Sequence, residues 1–364
     1  MTYPLAIFTP RIGAYSETFI HKHIERLLPG QTVVLSHAIR KEKFWETSCP
    51  TFILSEISLP RFGKKRKIAA FSQAIRQFLT LHGVEVMMGE FLDVSLPIFE
   101  IVRDMGIPFY VHSHGYDMSE CLEDPMWRKA YLAYNGAAGI ITVSEFSRNR
   151  LIDIGLEPGL IKVVPYGIDV PDSYCQRTSD TVNCLAVGRM VPKKAPLITI
   201  RAFEKASLEY PNLHLDFIGD GILFSAVEDY VEKNRLSEKI TLHGSKPNDF
   251  VLDLMKKAGM FLQHSMTDPK TGNEEGLPVA ILEAMANGLP IVTSKHAGIP
   301  EAVSSSVNGY LVDEGDENRM AHCIIDLYND SAMREKLGRN SWLRAEENFS
   351  WEAERRHLIK IMDL

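Results

Sequence analysis

Short apolar runs alternate with longer stretches of helical spacing along almost the whole chain, and this alternation limits the fold more than any other feature. "LAIFTP" (5–10), "TVVLSHA" (32–38), "VEVMMGE" (84–90), "PFYVHSHG" (108–115), "GIITVS" (139–144) and "IKVVPYGID" (161–169) read as strands. Between them "ETFIHKHIERL", "KIAAFSQAIRQFLTLHG" (stopped by Gly83) and "EFSRNRLIDIG" have helical periodicity. The segment 170–181 is polar and aperiodic, and reads as a linker. The pattern then restarts: strands "VNCLAVGRM", "LHLDFIGDG", "KITLHGS", "MFLQHS", "PIVTSKHAG" and "GYLVDEGD" are interleaved with helices such as "APLITIRAFEKASLEY". Strand–helix alternation predicts parallel, doubly wound sheets, so the expected fold class is α/β with two Rossmann-like domains, 1–172 and 173–350. Ligands of such sheets collect at the carboxyl ends of strands, which makes a cleft between the domains the default site. The last stretch, 351–364, reads as an amphipathic helix that crosses back to the first domain.

At 364 residues the chain is too long for one ordinary core. Its 45% hydrophobic and 24% charged content is that of a soluble globular protein, and a net charge of −7 argues against general nucleic-acid binding. Cysteines 49, 121, 175, 184 and 323 lack C-x-x-C spacing, which suggests structural thiols in a reducing compartment. No apolar run reaches about 18 residues, so no transmembrane helix is expected. The N-terminus lacks the parts of a signal peptide, and the expected location is cytoplasmic.

The chemistry concentrates in "NEEGLPVAILEAMANGLP", 273–290. Pro278 stands where a first helical turn begins and Gly288 where the helix ends, which puts the start near Leu277. The free N–H groups of such a terminus favour phosphate, and Gly276 lets a ligand approach the backbone closely. A carboxylate on the same phosphate would be repelled, so Glu275 is expected to accept hydrogen bonds from neutral hydroxyls beside it. Glu283 would lie about 12 Å further along if both were helical, which is too far for a hydrolase carboxylate pair. On spacing alone, a helix-start acid at Glu275 and a solvated or core-satisfied acid at Glu283 stand equally open. Positive charge for a diphosphate comes from "AVGRMVPKKAP", where Arg189 ends a strand and Lys193 and Lys194 precede a helix.

His112 and His114 alternate, and so are expected to share one strand face. With Asp117 they suggest a metal set, but no further ligand has metal spacing, and a core or strand-end histidine is the simpler alternative. "RFGKKRK", 61–67, packs five basic residues into seven positions, including Lys64, Lys65, Arg66 and Lys67, before an amphipathic helix. It reads either as a solvated charge run or as a contact for anionic lipid.

"GRMVPKKAP", "FIGDG", "EEGLPVAILEAMANGLPIV" and "AGIPEAV", in that order, resemble the retaining family-4 glycosyltransferases of the GT-B fold. "YSETFI" (15–20) and "HSHGYD" (112–117) resemble the bacterial exopolysaccharide branch, the colanic-acid and amylovoran type. The resemblance implies that the second domain binds a nucleotide sugar, with UDP-glucose the first expectation. Arg189 and Lys194 match the diphosphate pair, Glu283 the acid near the ribose, and Glu275 the acid facing the donor sugar. The backbone of Gly276, Leu277 and Pro278 would hold the distal phosphate, and loops after Gly219, Asp220 and Gly244 would flank the base. Gly13 falls in the loop that closes over the diphosphate, although the family often has two glycines there. His114 would meet the sugar and Asp117 orient its loop. Glu17 and Thr18, with His21, Lys22 and His23, fall on the acceptor side. Asn273, Glu274 and Thr271 are near enough to affect sugar choice. The resemblance implies no metal or other cofactor. It implies a glycan or lipid-linked oligosaccharide acceptor, with peripheral contact at the inner face of the plasma membrane as a further expectation. Two alternatives remain open: an epimerase, which would act without acceptor, and an inactive sugar-nucleotide binder. No G-x-G-x-x-G follows a strand, which removes a Rossmann dehydrogenase.

Overall fold

The computed structural model describes residues 2–14, 17–174, 176 and 182–364. The chain divides into two compact units, one formed by 1–164 with 355–364 and the other by 165–354. The division falls ahead of the segment read as a linker, of which residues 175 and 177–181 lie outside the described residues, as do Tyr15 and Ser16 of "YSETFI".

The first unit is built on a seven-stranded sheet in the order β3-β2-β1-β4-β5-β6-β7. Its strands are β1 (Leu5–Ile12), β2 (Thr32–Ile39), β3 (Thr51–Ile53), β4 (Val86–Glu90), β5 (Phe109–His112), β6 (Gly139–Thr142) and β7 (Ile161–Val163). All pairings are parallel. Helices cover both faces of such a sheet, so its strands are continuous apolar runs rather than alternating ones. Leu5, Ala6, Ile7, Val33, Val34, Leu35, Ile140 and Ile141 are accordingly all fully buried. The strand order reverses between β1 and β4, and ligands of open parallel sheets bind beyond the carboxyl ends at that reversal.

The second unit repeats the plan with six parallel strands ordered β10-β9-β8-β11-β12-β13. These are β8 (Asn183–Val187), β9 (His214–Ile218), β10 (Ile240–Gly244), β11 (Met260–Gln263), β12 (Ile291–Ser294) and β13 (Gly309–Val312). Here the order reverses between β8 and β11, so the segments leaving those strands, from Gly188 and from His264, are the ones placed for a ligand. The close approach of β8 and β9 at that end requires glycine. A Cβ on Gly219, at φ +148, would lie 1.9 Å from the Gly188 carbonyl oxygen.

Three local readings change. The strand holding His112 ends at that residue, so His114 lies beyond it rather than on the same strand face. The helix after Glu275 runs Val279–Ala286 with Pro278 as its cap. Glu275 is therefore not helical, and the 12 Å helical separation from Glu283 does not apply. A helix at Leu92–Arg103 has no clear sequence signal because Pro97 sits inside it. Burial of Leu92, Ile98, Phe99 and Val102 outweighs the breaker.

Candidate active site

In the second unit, Gly188 and Arg189 follow β8, and Val191 leads into a short 3-10 turn at Pro192–Lys194. Ala195, in the left-handed conformation at φ 36, then caps the helix Pro196–Glu209. This turn points Lys194 back towards the strand ends, where it lines a small pocket with Gly188, Arg189, Thr199, Phe217 and Gln263. The Lys194 Nζ lies 3.0 Å from Glu275 Oε2, both side chains largely buried. Burial pushes the Glu275 carboxyl up, but Lys194 and then Lys193 outweigh it and hold it at about 2. Burial conversely lowers the Lys194 ammonium from its ordinary value, with Glu275 opposing. Arg189 is exposed. Three cations therefore face one carboxylate, and the excess of positive charge suits a diphosphate.

The Glu275 carboxylate, expected to meet neutral hydroxyls, is paired with lysine in this structure. Lys193 is engaged with the same acidic loop. Its Nζ donates to Asn273 Oδ1 at 3.0 Å and to the Glu274 carbonyl at 2.8 Å, and it lies 3.5 Å from Glu275 Oε1. Behind the same loop, the Glu275 N–H donates to His296 Nε2 at 3.2 Å, and His296 Nδ1 meets Glu314 Oε1 at 2.6 Å. The Gly298 N–H holds the Gly276 carbonyl at 3.1 Å. Gly276, Leu277 and Pro278 are buried at the opening of the helix Val279–Ala286, whose first N–H groups lack intrahelical acceptors. Glu283, half-buried on that helix, accepts from Asn248 Nδ2 at 3.0 Å. Gly219 donates its N–H to the Gly244 carbonyl at 2.9 Å, and the Met190 N–H reaches the Asp220 carbonyl at 2.9 Å. These bonds tie the loops after β8, β9 and β10 to one another. Thr271 Oγ1 donates to Asp268 Oδ2 at 2.9 Å.

In the first unit the centre is Glu90, which the apolar pattern places simply at the end of a strand. It closes β4, is fully buried, and accepts from His23 Nδ1 at 2.7 Å and His114 Nε2 at 2.8 Å. Burial favours its neutral form, but the two imidazoles prevail and pull it well below the usual carboxylate range. His112 Nδ1 lies 3.6 Å from the same carboxylate. The ring of His114 is flanked by Phe19 and Phe91, each at 4.5 Å between centroids. Asp117 accepts the backbone N–H groups of His114 and Leu92, each at 3.0 Å, and so fixes the start of the His114 loop. Glu17 caps the helix Thr18–Arg26 without a side-chain cap bond, and burial raises its carboxyl. His21 stacks on Trp45 at 5.0 Å. Gly13, at φ +86, packs on Lys43 with 3.1 Å to a would-be Cβ.

Ligand atoms of His23, Glu90 and His112 lie within 4.8 Å of one another, so residues of metal-binding type do cluster here. They are not the set suggested by the sequence, since the Asp117 carboxylate is engaged by backbone N–H groups. A glutamate at the end of an apolar strand is the available signal for Glu90, but its two histidines come from separate elements. Lys64, Lys65, Arg66 and Lys67 open the helix Lys64–His82 and are all exposed. Among the described residues, no helix is long and apolar enough to cross a membrane.

Two parallel-sheet units, with a cation cluster at the strand-order reversal of the second, define a doubly wound α/β architecture. Residues 177–343 match the family described as glycosyl transferases group 1, and residues 33–171 match glycosyltransferase family 4. The chain belongs to these glycosyltransferases and has the GT-B fold. Among its relatives, the amylovoran biosynthesis glycosyltransferase AmsK of Erwinia amylovora is 28% identical over 62% of this chain and 56% of its own. The putative colanic acid biosynthesis glycosyltransferase WcaL of Salmonella typhimurium is 27% identical over 61% and 56%. The chain therefore spans just over half the length of these two relatives. An uncharacterized glycosyltransferase of Methanocaldococcus jannaschii, MJ1178, is 26% identical over 95% of this chain and 93% of its own. Among solved structures, Anabaena Alr3699/HepE in complex with UDP aligns over 100% of both chains, with a TM-score of 0.80 and 16% identity. Sucrose-phosphate synthase from Thermosynechococcus elongatus aligns over 98% of both chains, with a TM-score of 0.77 and 18% identity.

Proposed function

We propose that this glycosyltransferase moves a hexose from a UDP-sugar, UDP-glucose first, to a glycan acceptor with retention of anomeric configuration. The observation that carries the proposal is the Lys194–Glu275 pair beside Arg189, next to the helix N-terminus at Gly276–Pro278. When a diphosphate arrives, Arg189 and Lys194 turn to it and Glu275 is released to the sugar hydroxyls. Positive side chains and the helix terminus stabilise the leaving UDP without a metal ion. The donor's phosphate oxygen takes the acceptor's proton, and attack occurs on the face the UDP leaves. His114 hydrogen-bonds the sugar or its developing charge. Glu283 holds the ribose. The complex of HepE with UDP supports the nucleotide, and the names of the AmsK and WcaL relatives support an exopolysaccharide acceptor. A lipid-linked oligosaccharide is the acceptor we favour.

The test is a donor panel of UDP-glucose, UDP-galactose, UDP-GlcNAc and GDP-mannose, with nucleotide release and anomeric form read by NMR. UDP release from one donor, unaffected by EDTA and lost in Glu275→Gln and Arg189→Ala, is the expected result. A change at the sugar without acceptor and without UDP release would indicate the epimerase reading instead. Trapping a covalent glycosyl-enzyme would remove the front-side mechanism.

The basic run supports peripheral attachment to an anionic membrane. Lys64, Lys65, Arg66 and Lys67 sit at a helix N-terminus, where the dipole disfavours cations, so helix stability does not account for them. Phe62 and Ile68 beside them are 77% and 60% exposed. Reversing the four charges should abolish binding to anionic vesicles, and unchanged binding would remove the attachment.

A further inference from the structure

We infer that Lys193 and His296 are positioning residues that clamp the Asn273–Gly276 loop at separate points and thereby set Glu275 for the transfer step. The inference rests on the proposed role of Glu275 but concerns residues to which that proposal gives no part. Lys193 is adjacent to the lysine offered to the donor, is 7% exposed, and has three N–H groups. Two are used on Asn273 Oδ1 and the Glu274 carbonyl, and the third faces Glu275 Oε1. Lys193 is thus committed mainly to the acidic loop, by two hydrogen bonds and an ion pair at 3.5 Å. The tandem lysines therefore divide their work, Lys194 towards the donor and Lys193 as a tether for the acidic loop.

At the backbone of the same loop, the Glu275 N–H donates to His296 Nε2, so that nitrogen carries no proton, and the proton lies on Nδ1 towards Glu314 Oε1. Glu314 Oε2 in turn accepts the Thr267 N–H at 3.2 Å, and Thr267 Oγ1 donates to Glu274 Oε1 at 3.0 Å. The loop is thus held through side chain and backbone at once. His296 lies just before Ala297, at φ +45, which turns the chain so that Gly298 can hold the Gly276 carbonyl.

The experiment compares Lys193→Met and His296→Phe with the wild type, reading UDP affinity by calorimetry and kcat with the donor found by the panel. A misplacement of about 1 Å costs up to roughly 100-fold in rate, so kcat should fall by about 10- to 100-fold. UDP affinity should stay within about 2-fold, since Arg189, Lys194 and the helix terminus remain. His296→Gln, which restores an acceptor near the Nε2 position, should recover part of the rate. Parallel losses of UDP affinity and kcat in Lys193→Met would make Lys193 a phosphate ligand and overturn the tether. Unchanged kcat in both variants would overturn the clamp. If a variant fails to fold, Lys193→Gln and His296→Gln carry the test: reduced kcat with wild-type UDP affinity supports the clamp, and wild-type kcat overturns it. If the wild type transfers sugar from no donor, the functional reading fails separately. Amide exchange of residues 273–276 then decides: faster exchange in Lys193→Met supports the clamp, and unchanged exchange overturns it.

Discussion

Glu275 is the residue at which charge, position and chemistry meet. Replacing it by Gln leaves Lys194 and Lys193 facing each other without a counter-charge in a largely buried setting. We expect transfer to fall by about 100-fold or more, measured as initial rate at saturating donor. Its folded-state value of about 2, against an ordinary 4.5, contributes stability that is present above pH 4.5 and is lost as pH falls from 4.5 towards 2. A second titration lies above that window. Burial lowers His264, whose Nε2 accepts the Gly315 N–H, to about 4 from 6.5. The unfolded chain takes up that proton first, so the contribution is intact above pH 6.5 and is lost as pH falls to 4. His264→Gln keeps an acceptor for Gly315 but does not titrate. Its thermal midpoint should fall less than that of the wild type between about pH 6.5 and 4.5, and parallel curves would contradict this.

At the scale of elements, the ends of β8 and β9 fit only because Gly219 has no side chain. Gly219→Ala forces a Cβ into the Gly188 carbonyl at a φ that L residues avoid, with a cost of about 3 kcal/mol or more. Urea unfolding should show that loss, and UDP affinity should fall with it. The strands are legible because burial on both faces makes them unbroken apolar runs. The helix Val279–Ala286 is legible within two residues because Pro278 and Gly288 bracket it. Leu92–Arg103 is not, because Pro97 is a breaker by every local rule and only packing overrides it. A period-two argument puts His112 and His114 on one strand face, yet the strand stops between them. Both still approach Glu90, His112 as its register partner on β5 and His114 through the turn that Asp117 fixes.

For the whole molecule, the last helix matters beyond its own length. Residues 355–364 belong with the first unit, although they follow the second in sequence. Arg355 Nε donates to the carbonyls of Arg26 and Leu27 at 3.2 and 3.0 Å, the end of the helix Thr18–Arg26. Leu358 and Met362 are buried. Arg355→Ala should cost about 1–2 kcal/mol, read as a lower thermal midpoint, and deletion of 355–364 should leave the first unit aggregation-prone. Residue order settles the class of fold and the family, and it carries the candidates for most of the second unit's site. Arg189, Lys194, Glu275 and Glu283 lie in two compact motifs whose spacing can be read along the chain. It does not settle which charges neutralise which. His23, Glu90 and His114 come from three elements, and Lys193 meets Asn273 across 80 positions. Such partnerships depend on the strand order of a parallel sheet, which brings distant carboxyl ends together, and no local pattern encodes that adjacency.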